Sequence, residues 1–291
     1  MNEHPPRQYP PRSVFDQLVA DLTPQYGTGE ARSIARIVFE DAFGTRRPGQ
    51  KEFTAEEERR FLEIRRRLLS GEPVQYVLGA ADFFGLRFRV SPAVLIPRQE
   101  TEELVAWVLD WLKNYAGTAP AVLDIGLGSG CIAITLQAKR PDLQLSGLEI
   151  SPDALALATE NARRITPNAA YSFLEGDILD PKSWAQFPTL DVVVSNPPYI
   201  PLQEKALMPD HVTRWEPHSA LFVHDPAPLV FYRAIASFAS EKLRPGGALF
   251  LECNEFNAPE VADLLRSAGF VRVELRRDLA GANRMVTGIR P

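Results

Sequence analysis

The chain has 291 residues, a length that allows one large domain or two ordinary ones. Its content of 45% hydrophobic and 24% charged residues is close to the average of globular proteins and excludes a disordered or fibrous chain. A net charge of −5, from 32 Lys+Arg and 37 Asp+Glu, argues against a chain that binds nucleic-acid phosphates over its whole surface.

No targeting or membrane signal is visible. Residues 1–12 are polar and proline-rich, and no window of the sequence approaches about 18 consecutive apolar residues. The two cysteines, Cys131 and Cys253, lack the spacing of a zinc or redox motif and fit a reducing compartment. We therefore expect a soluble, cytoplasmic protein with no membrane partner and no direct nucleic-acid partner.

The N-terminal quarter has the apolar spacing of helices. Two stripes at helical spacing come first: Val14, Leu18 and Leu22, then Ile34, Ile37, Val38 and Phe43. A third helix begins at a capping box, in which Thr54 is followed three residues later by Glu57, and it ends at Gly71. The pattern predicts a helical domain over residues 1–75. Arginines at 59, 60, 65, 66 and 67 form either a solvated helix face or a contact for an acidic partner.

The pattern changes after Gly71 to short apolar pieces broken by Gly and Pro. Residues 84–90 alternate between apolar and polar positions, as a strand does. We expect a connecting hairpin or linker over residues 76–100.

Strands and helices alternate in the rest of the chain. Helices are predicted from residue 100 through Leu112 and at 131–139, 151–164, 229–243 and 258–268. Strands are predicted at 121–125, 143–150, 170–174, 190–195, 248–253, 271–275 and 284–289. Apolar strands separated by helices indicate an α/β domain, residues 101–291, with a parallel sheet covered on both faces. Ligands of such sheets bind at the carboxyl ends of the strands, near the topological switch point.

A glycine-rich loop joins the first of these strands to the next helix. It consists of Asp124, Ile125, Gly126, Leu127, Gly128, Ser129 and Gly130, with three glycines where a tight turn and a close approach to a ligand are needed. An ordinary strand-to-helix turn is the alternative. Glu149 ends the second strand at about the 20-residue distance expected of a carboxylate that binds ribose hydroxyls. Together these features predict a nucleoside cofactor.

The residues around the loop favour one cofactor class. The glycine spacing departs from the dinucleotide fingerprint, and no Gly-Lys-Ser/Thr follows that would make a P-loop. Asp124 would repel a pyrophosphate but would accept hydrogen bonds from an amino-acid ammonium group, and S-adenosylmethionine carries such a group without phosphate. Asp177, after the third strand, is placed to read the adenine amino group, with Ile178 against the base. A solvated turn residue is an equal alternative for Asp177.

The segment Asn196-Pro197-Pro198-Tyr199 follows the fourth strand. Asn-Pro commonly opens a turn, so a loop that only ends the strand is one interpretation. Two prolines fix the backbone and remove N–H donors, which leaves carbonyl oxygens to face a ligand. Asn196 adds another acceptor and Tyr199 adds a flat ring for stacking.

This group of residues suits a planar NH₂, either a carboxamide or a nucleobase amine. Two N–H groups donated to the Asn196 side chain and the Pro197 carbonyl would align the nitrogen with a sulfonium methyl. We predict Asn196, Pro197 and Tyr199 as catalytic, and the same residues with Pro198 as substrate-binding. No general base is assigned, because the proton leaves after the methyl group arrives.

The sequence resembles the HemK/PrmC-type protein-glutamine N5-methyltransferases over nearly its whole length. The matching segments are QYVLG at 75–79, FG at 84–85, LIPRQETE at 95–102, the glycine loop, NPPY at 196–199, EP at 216–217, PGG at 245–247 and DLAG at 278–281 with Arg284. The resemblance implies a class I S-adenosylmethionine-dependent methyltransferase fold, Rossmann-like, with a mostly parallel seven-stranded sheet and a small N-terminal helical domain that docks the substrate. It implies methylation of the glutamine in the Gly-Gly-Gln motif of peptide chain release factors.

The resemblance also assigns residues. In that family the positions of Gly126 to Gly130, Glu149, Ile178 and Asn196 bind the cofactor, and Asn-Pro-Pro-Tyr holds the substrate glutamine. Gln99 stands where the family usually has Pro, Leu127 replaces a small polar residue, and Ile178 replaces an aromatic one. A Gly-Gln pair after the fifth strand is missing at residues 252–255. These departures concern the packing of the adenosine rather than the Asn-Pro-Pro-Tyr chemistry.

Other functions stay open from the sequence. A glutamine methyltransferase for a ribosomal protein would have the same active site, and only its docking surface would differ. Adenine-N6 methylation of DNA or RNA is disfavoured by the acidic net charge. The intact Asn196 and glycine loop argue against a binding module without chemistry. The four histidines, His4, His211, His218 and His224, have no metal-ligand spacing.

Overall fold

The computed structural model describes residues 13–46, 51, 53–115, 117–208, 210–223 and 228–291. The proline-rich residues 1–12, with His4, and also His224, lie outside this part of the chain. The chain divides into two compact units, Met1–Gly79 and Ala80–Pro291. The hairpin that follows Gly79 thus belongs to the second unit, whereas the sequence suggested a separate connector over 76–100.

The first unit is helical. Its helices are α1 (Val14–Phe43), α2 (Ala55–Leu69) and α3 (Val74–Leu78). The two helices predicted before residue 50 form one α1 that is broken at Gly27, where φ is 74° and ψ is 160°. This backbone conformation is accessible chiefly to glycine, so the break has a local cause.

Capping and core packing define the first unit further. The predicted capping box is confirmed: the Thr54 hydroxyl accepts from the Glu57 N–H at 3.2 Å, and the Glu57 carboxylate accepts from the Thr54 N–H at 3.0 Å. Leu18 is fully buried as predicted, but Val14 is 36% exposed and Phe15 takes its place in the core. The predicted stripe is therefore right at Leu18 and Leu22, which are both fully buried, and wrong only at its first residue.

The arginine run on α2 is largely used inside the first unit. Arg65 pairs with Asp21 at 2.7 Å, and Arg67 pairs with the buried Glu72. Arg66 pairs with Glu63 at 2.6 Å on the exposed face, and the Arg60 guanidinium donates to the Ala42 carbonyl at 2.9 Å. These contacts account for the arginines at 60, 65, 66 and 67 by interactions within the unit, and contact with an acidic partner stays a prediction.

The second unit is an α/β domain. A hairpin of β1 (Ala80–Phe83) and β2 (Leu86–Arg89) precedes a seven-stranded sheet. The sheet strands are β3 (Ala121–Ile125), β4 (Gln144–Glu149), β5 (Tyr171–Glu175), β6 (Leu190–Ser195), β9 (Leu243–Glu252), β10 (Val271–Arg277) and β11 (Asn283–Ile289). Their order in the sheet is β10-β11-β9-β6-β3-β4-β5. β11 is antiparallel to its neighbours β9 and β10, and the other pairs are parallel. The predicted mostly parallel α/β fold is confirmed.

Helices cover the sheet, and smaller elements lie above its carboxyl edge. The helices are α4 (Gln99–Lys113), α5 (Cys131–Lys139), α6 (Pro152–Ile165), α9 (Val230–Lys242) and α10 (Ala258–Ser267). Two short helices, α7 (Asp210–Trp215) and α8 (His218–Leu221), accompany a small parallel pair, β7 (Ile200–Pro201) with β8 (Phe222–Val223). Two 3-10 helices span Pro181–Gln186 and Leu202–Leu207. In the described residues, no helix combines the length and the apolar character needed to cross a bilayer.

The hairpin turn corrects one sequence expectation. The strand predicted at 84–90 begins at Leu86, because Phe84 and Gly85 form the turn with φ of 52° and 76°. Two successive positive φ values give the turn type whose twist matches antiparallel strands. The Phe84 N–H donates to the Glu102 carboxylate at 2.8 Å, a contact that holds a bulky residue in this unusual conformation.

Candidate active site

Three neighbouring strands of the sheet end in register. Near their carboxyl ends, β3, β6 and β9 carry the paired residues Ile125, Ser195 and Leu251. The next residues along the chain are Gly126, Asn196 and Glu252, of which Glu252 is the last residue of β9. The Ser195 hydroxyl donates to the Ile125 carbonyl at 2.7 Å and ties two of these ends together. The glycine loop, the Asn-Pro-Pro-Tyr segment and a glutamate therefore meet at one edge.

A cavity of about 320 Å³ opens at this edge. Most of the predicted site residues line it: Gly126, Leu127, Gly128, Ser129, Glu149, Asp177, Ile178, Asn196, Pro197 and Pro198. Arg98 and Thr101, from the start of α4, line it as well. The predicted residues that do not line it are Asp124, Gly130 and Tyr199. The structure thus joins the two motifs, which are about 70 residues apart in the chain, in one cavity.

The glycine loop has the conformation that its residue types predict. Gly126 and Gly128 have φ of 80° and 54°, and a side chain at either position would enter space with no atom within 4 Å. The N–H groups of Gly126 and Leu127 donate to the Leu148 carbonyl at 2.8 and 3.3 Å, and Gly130 N–H donates to the Leu127 carbonyl. The loop therefore directs these donors to the protein, unlike a loop that cradles phosphate.

The Leu127 side chain fills the space left by the missing side chain of Gly147 in β4. Its side chain is 3% exposed and packs into the apolar layer beneath the loop. An added Cβ at Gly147 of β4 would stand only 2.5 Å from the two Leu127 methyl groups and 2.6 Å from its Cγ. The unusual leucine in the loop and the glycine in β4 thus form a complementary pair.

We expect Gly147→Ala to lower the free energy of unfolding by about 1–3 kcal/mol, because the added methyl overpacks a rigid contact. In a Leu127→Ser background the same Gly147→Ala change should cost much less, because the shorter side chain leaves room for the added methyl group. Urea unfolding of the wild type, the two single variants and the double variant measures this difference. Gly29→Ala, at an exposed helical position with no atom within 4 Å of the new methyl, is the control and should raise the free energy of unfolding by up to about 1 kcal/mol. A loss of equal size in Gly147→Ala with and without Leu127→Ser would contradict the pairing.

Glu149 lies at the carboxyl end of β4 and is 8% exposed. One carboxylate oxygen accepts from the Gly128 N–H at 2.9 Å, and the other accepts from the Ser151 N–H at 2.9 Å. A carboxylate has about four acceptor sites, so each oxygen keeps capacity for a further donor from the cavity. Glu149 therefore holds the glycine loop in place and also presents oxygen atoms to a ligand.

Asp124 is placed differently from its predicted role. It is fully buried beneath the loop, and its carboxylate accepts from the Ala133 N–H in the first turn of α5 at 3.1 Å. Burial, together with the nearby Glu149, raises the pKa of Asp124 well above its ordinary value. The geometry makes Asp124 a support for the loop and α5, away from the cavity wall.

Asp177 and Ile178 lie together on the cavity wall after β5. The Asp177 carboxylate accepts from the Leu179 N–H at 2.8 Å, the pattern of a turn stabilised by its own aspartate. Ile178 is 7% exposed and packs into the core at the same time. The turn contact and a contact with a ligand are compatible, because one Asp177 oxygen is enough for the turn.

A buried polar cluster stands behind Asn196. The Asn196 Nδ2 donates to the Thr101 hydroxyl at 3.2 Å, and that hydroxyl donates to the Glu252 carboxylate at 2.7 Å. Thr101 and Glu252 are 2% and 1% exposed. Burial raises the pKa of Glu252 to about 7, although hydrogen bonds from Thr101 and Asn196 and the charge of Arg284 act in the opposite direction.

The sequence analysis missed Thr101 and Glu252 as parts of the site. Glu252 attracted notice only for the missing Gly-Gln pair, and Thr101 only as part of a matching segment. The available signal for Glu252 was an acid at the end of an otherwise apolar strand segment, residues 248–251, a position where a charge is costly unless it has partners.

Tyr199 lies outside the cavity wall and packs against the core on the α9 side of the sheet. Burial and the nearby Glu252 raise the pKa of Tyr199 to about 12, so its hydroxyl is uncharged near neutral pH. Its predicted stacking on a planar substrate group stays a prediction.

The segment Ile96-Pro97-Arg98 is hydrogen-bonded to Glu216 in the loop before α8. Glu216 is 4% exposed, and its carboxylate pairs with the Arg98 guanidinium at 2.5 Å and accepts from the Ile96 N–H at 3.2 Å. The two matching segments at 95–102 and 216–217 are thus in direct contact, and Arg98 is held at the cavity wall.

Comparisons with known proteins agree with this geometry. A family model described as "PrmC N-terminal domain" matches residues 15–79, and one described as "Methyltransferase small domain" matches residues 105–211. Among solved structures, the catalytic domain of hMettl16 is 17% identical, with a TM-score of 0.55 and 81% of each chain covered. At that identity the similarity supports the fold alone.

Curated relatives are much more similar. The release factor glutamine methyltransferase of Bacteroides thetaiotaomicron is 41% identical over 224 residues, which cover 77% of this chain and 78% of the relative. That of Geobacter sulfurreducens is 42% identical over 217 residues, covering 75% and 73%. The resemblance found in the sequence is confirmed, and this chain belongs to the release factor glutamine methyltransferase family.

Proposed function

We propose that this protein transfers a methyl group from S-adenosylmethionine to the side-chain amide nitrogen of the glutamine in the Gly-Gly-Gln motif of peptide chain release factors. The observation that carries this proposal is the joining of Asn196 and Pro197 with the glycine loop and Glu149 in one cavity. A cytoplasmic location goes with the proposal and with the two free thiols, Cys131 and Cys253.

The residues of the cavity fit S-adenosylmethionine. The volume of about 320 Å³ is in the range of small-molecule pockets. The open space beside Gly126 and Gly128 allows a ligand to approach the backbone, and the inward use of the loop N–H groups suits a cofactor without phosphate. Glu149 would accept from the ribose hydroxyls, and Asp177 and Ile178 would contact the adenine. When bound, the cofactor supplies a methyl group on a positively charged sulfur, and both electrons of the sulfur–methyl bond stay on sulfur when the methyl group is transferred.

The chain's own residues would position and activate the amide. The carboxamide nitrogen is a poor nucleophile, because its lone pair is delocalised into the carbonyl. The Asn196 side-chain oxygen and the Pro197 carbonyl would accept its two N–H groups, fix the direction of the lone pair and favour positive charge on the nitrogen. These oxygens hold both protons until the new N–C bond has formed, and one proton then leaves to solvent.

The substrate assignment rests on the curated relatives, which are named release factor glutamine methyltransferases and align over about three quarters of this chain. The first unit, which matches the PrmC N-terminal domain model, is assigned to docking of the release factor. No separate observation favours a ribosomal protein or a nucleic acid as the substrate.

Incubation with cofactor labelled in the methyl group tests the proposal. Release factor, ribosomal proteins and duplex DNA are offered in separate reactions, and mass spectrometry locates the label. We expect label on the Gly-Gly-Gln glutamine alone, and a release factor with Gln replaced by Asn at that position is the control that should stay unlabelled. Label on a ribosomal protein or on adenine, with none on the release factor, would overturn the substrate assignment.

A further inference from the structure

We propose that Thr101 and Glu252 are positioning residues that fix the Asn196 side-chain amide with its oxygen toward the cavity. The inference rests on the proposed function for what that oxygen then accepts. The orientation itself follows from hydrogen bonds in the described residues, and it does not depend on which substrate enters.

The hydrogen bonds run in one direction. A carboxylate is only an acceptor, and the Thr101 hydroxyl gives its single proton to Glu252 at 2.7 Å. That hydroxyl is then left with lone pairs only, and it accepts from the Asn196 Nδ2 at 3.2 Å. The Asn196 side chain is also close enough to the Glu252 carboxyl to lower its pKa. The Nδ2 end of the Asn196 amide is thereby held behind the cavity wall.

The direction decides what the cavity presents. The two ends of an asparagine amide are almost equal in size, so packing alone does not select one over the other. With the amide turned over, Asn196 would present N–H groups to the N–H groups of a carboxamide, and neither would have a partner. With Nδ2 held by Thr101, whose hydroxyl is in turn fixed by Glu252, the oxygen is the end that remains for the substrate.

Glu252 acts through other residues. It is 1% exposed and does not line the cavity, whereas Thr101 and Asn196 do. The ends of β6 and β9 are in register, which puts Glu252 beside Asn196 rather than above the substrate position. Glu252 is therefore a positioning residue and not a catalytic one.

The orienting effect needs Glu252 in its ionised form. A protonated carboxyl would have a donor of its own, and the Thr101 hydroxyl would then be free to donate to the Asn196 oxygen. The titratable and charged groups that face Glu252 come from several elements: Glu100, Cys131, Tyr199, Tyr232, Cys253 and Arg284. Burial opposes ionisation and Arg284 favours it, so the carboxyl titrates with a pKa of about 7.

Two isosteric variants test the positioning role by kinetics. Glu252→Gln replaces the pure acceptor by an amide, and Thr101→Val removes the hydroxyl. We expect each to lower kcat for release-factor methylation at pH 8 by about tenfold or more, with KM for the cofactor little changed, because the amide loses its fixed orientation. Thr101→Ser keeps the hydroxyl and should retain most of kcat. Thr135→Val, another fully buried threonine, which lies on α5 outside the cavity, is the matched control and should leave kcat unchanged.

The pH profile separates positioning from a simple packing role. In the wild type, kcat should fall as the pH drops through about 7, since protonation of Glu252 releases the orientation. The profile of Glu252→Gln should be flat over the same interval, because glutamine has no proton to bind. If kcat of Glu252→Gln still decreases below about pH 7 in the same way as kcat of the wild type, the proposal is overturned.

A spectroscopic readout makes the test independent of the substrate. In protein labelled with ¹⁵N-asparagine, the Asn196 NH₂ resonances are identified by their absence in Asn196→Ala. They should shift with an apparent pKa near 7 in the wild type, and this titration should vanish in Glu252→Gln. If the wild type methylates no release factor but the resonances titrate, the proposed function fails and the positioning role stands. If the wild type methylates the release factor but the resonances do not respond to Glu252→Gln, the positioning role fails.

Discussion

Asn196→Ala is expected to lower kcat for release-factor methylation by about 10²–10³-fold, the size of effect found when one preorganised polar partner of a transition state is removed. Asn196 supplies one of the two oxygen acceptors proposed for the carboxamide, and Pro197 supplies the other. Without Asn196, the nitrogen loses its alignment and the positive charge that develops on it loses a stabilising dipole.

The affinity for the cofactor should change much less than the rate in Asn196→Ala. The glycine loop and Glu149 stay in place, because their hydrogen bonds run through Leu148, Gly128 and Ser151 rather than through Asn196. Single-turnover rates give the first quantity and titration calorimetry gives the second. Asn168→Ala changes an exposed asparagine beyond α6 and serves as the control.

The contrast between rate and affinity is the decisive result for Asn196. Turnover within a factor of two of the wild type would remove Asn196 from the chemistry. If the affinity for the cofactor falls as much as the rate, Asn196 is mainly a cofactor ligand, and other groups hold the substrate carboxamide.

Glu149→Ala is expected to weaken cofactor binding by about 1.5–3 kcal/mol, the usual value of hydrogen bonds to a charged group, which is about a 10- to 150-fold rise in Kd. Two losses combine in this variant. The ribose hydroxyls lose their acceptor, and the N–H groups of Gly128 and Ser151 lose the oxygens that hold them at 2.9 Å.

Glu149→Gln separates these two losses. Glutamine keeps the shape and one oxygen, so it retains one of the two backbone contacts and should bind the cofactor with an intermediate Kd. Glu175→Ala is a close control, because Glu175 ends β5 directly opposite Glu149 in the parallel register but is exposed and does not line the cavity. Calorimetry that shows the wild-type Kd in Glu149→Ala would remove Glu149 from the ribose site.

The sequence was sufficient to predict features that are local or periodic, such as helix caps and apolar strands. The capping box of α2 needs only Thr54, Glu57 and their own N–H groups, so its sequence pattern determines its structure. The apolar strands, the glycine loop and the Asn-Pro-Pro-Tyr turn are also contiguous segments. A rule about the carboxyl ends of parallel strands was then sufficient to predict that the last two meet in one site.

Shifts of one or two residues escaped the sequence patterns for a physical reason. The strand assigned to 84–90 starts at Leu86 because Phe84 takes a positive φ, which a bulky residue adopts only when something holds it. That contact comes from Glu102 on α4, and alternation of apolar residues carries no information about it. The burial of Asp124 beneath the loop was missed in the same way, because an acid next to a glycine loop is equally consistent with a contact above it.

What only the tertiary structure decided is how distant residues combine. Leu127 in the loop is unusual in sequence, and its reason is the absent side chain of Gly147 in the adjacent strand. Thr101 and Glu252 are 151 positions apart, and Thr101 and Asn196 are 95 apart, yet the three form one directed set of hydrogen bonds. Sequence patterns record the periodicity and turn chemistry of one segment at a time, whereas such contacts depend on strand register and on the packing of α4 against the sheet. The sequence therefore predicts the fold, the cofactor loop and Asn196. The direction in which the Asn196 amide points is set by Thr101 and Glu252, which only folding brings next to it.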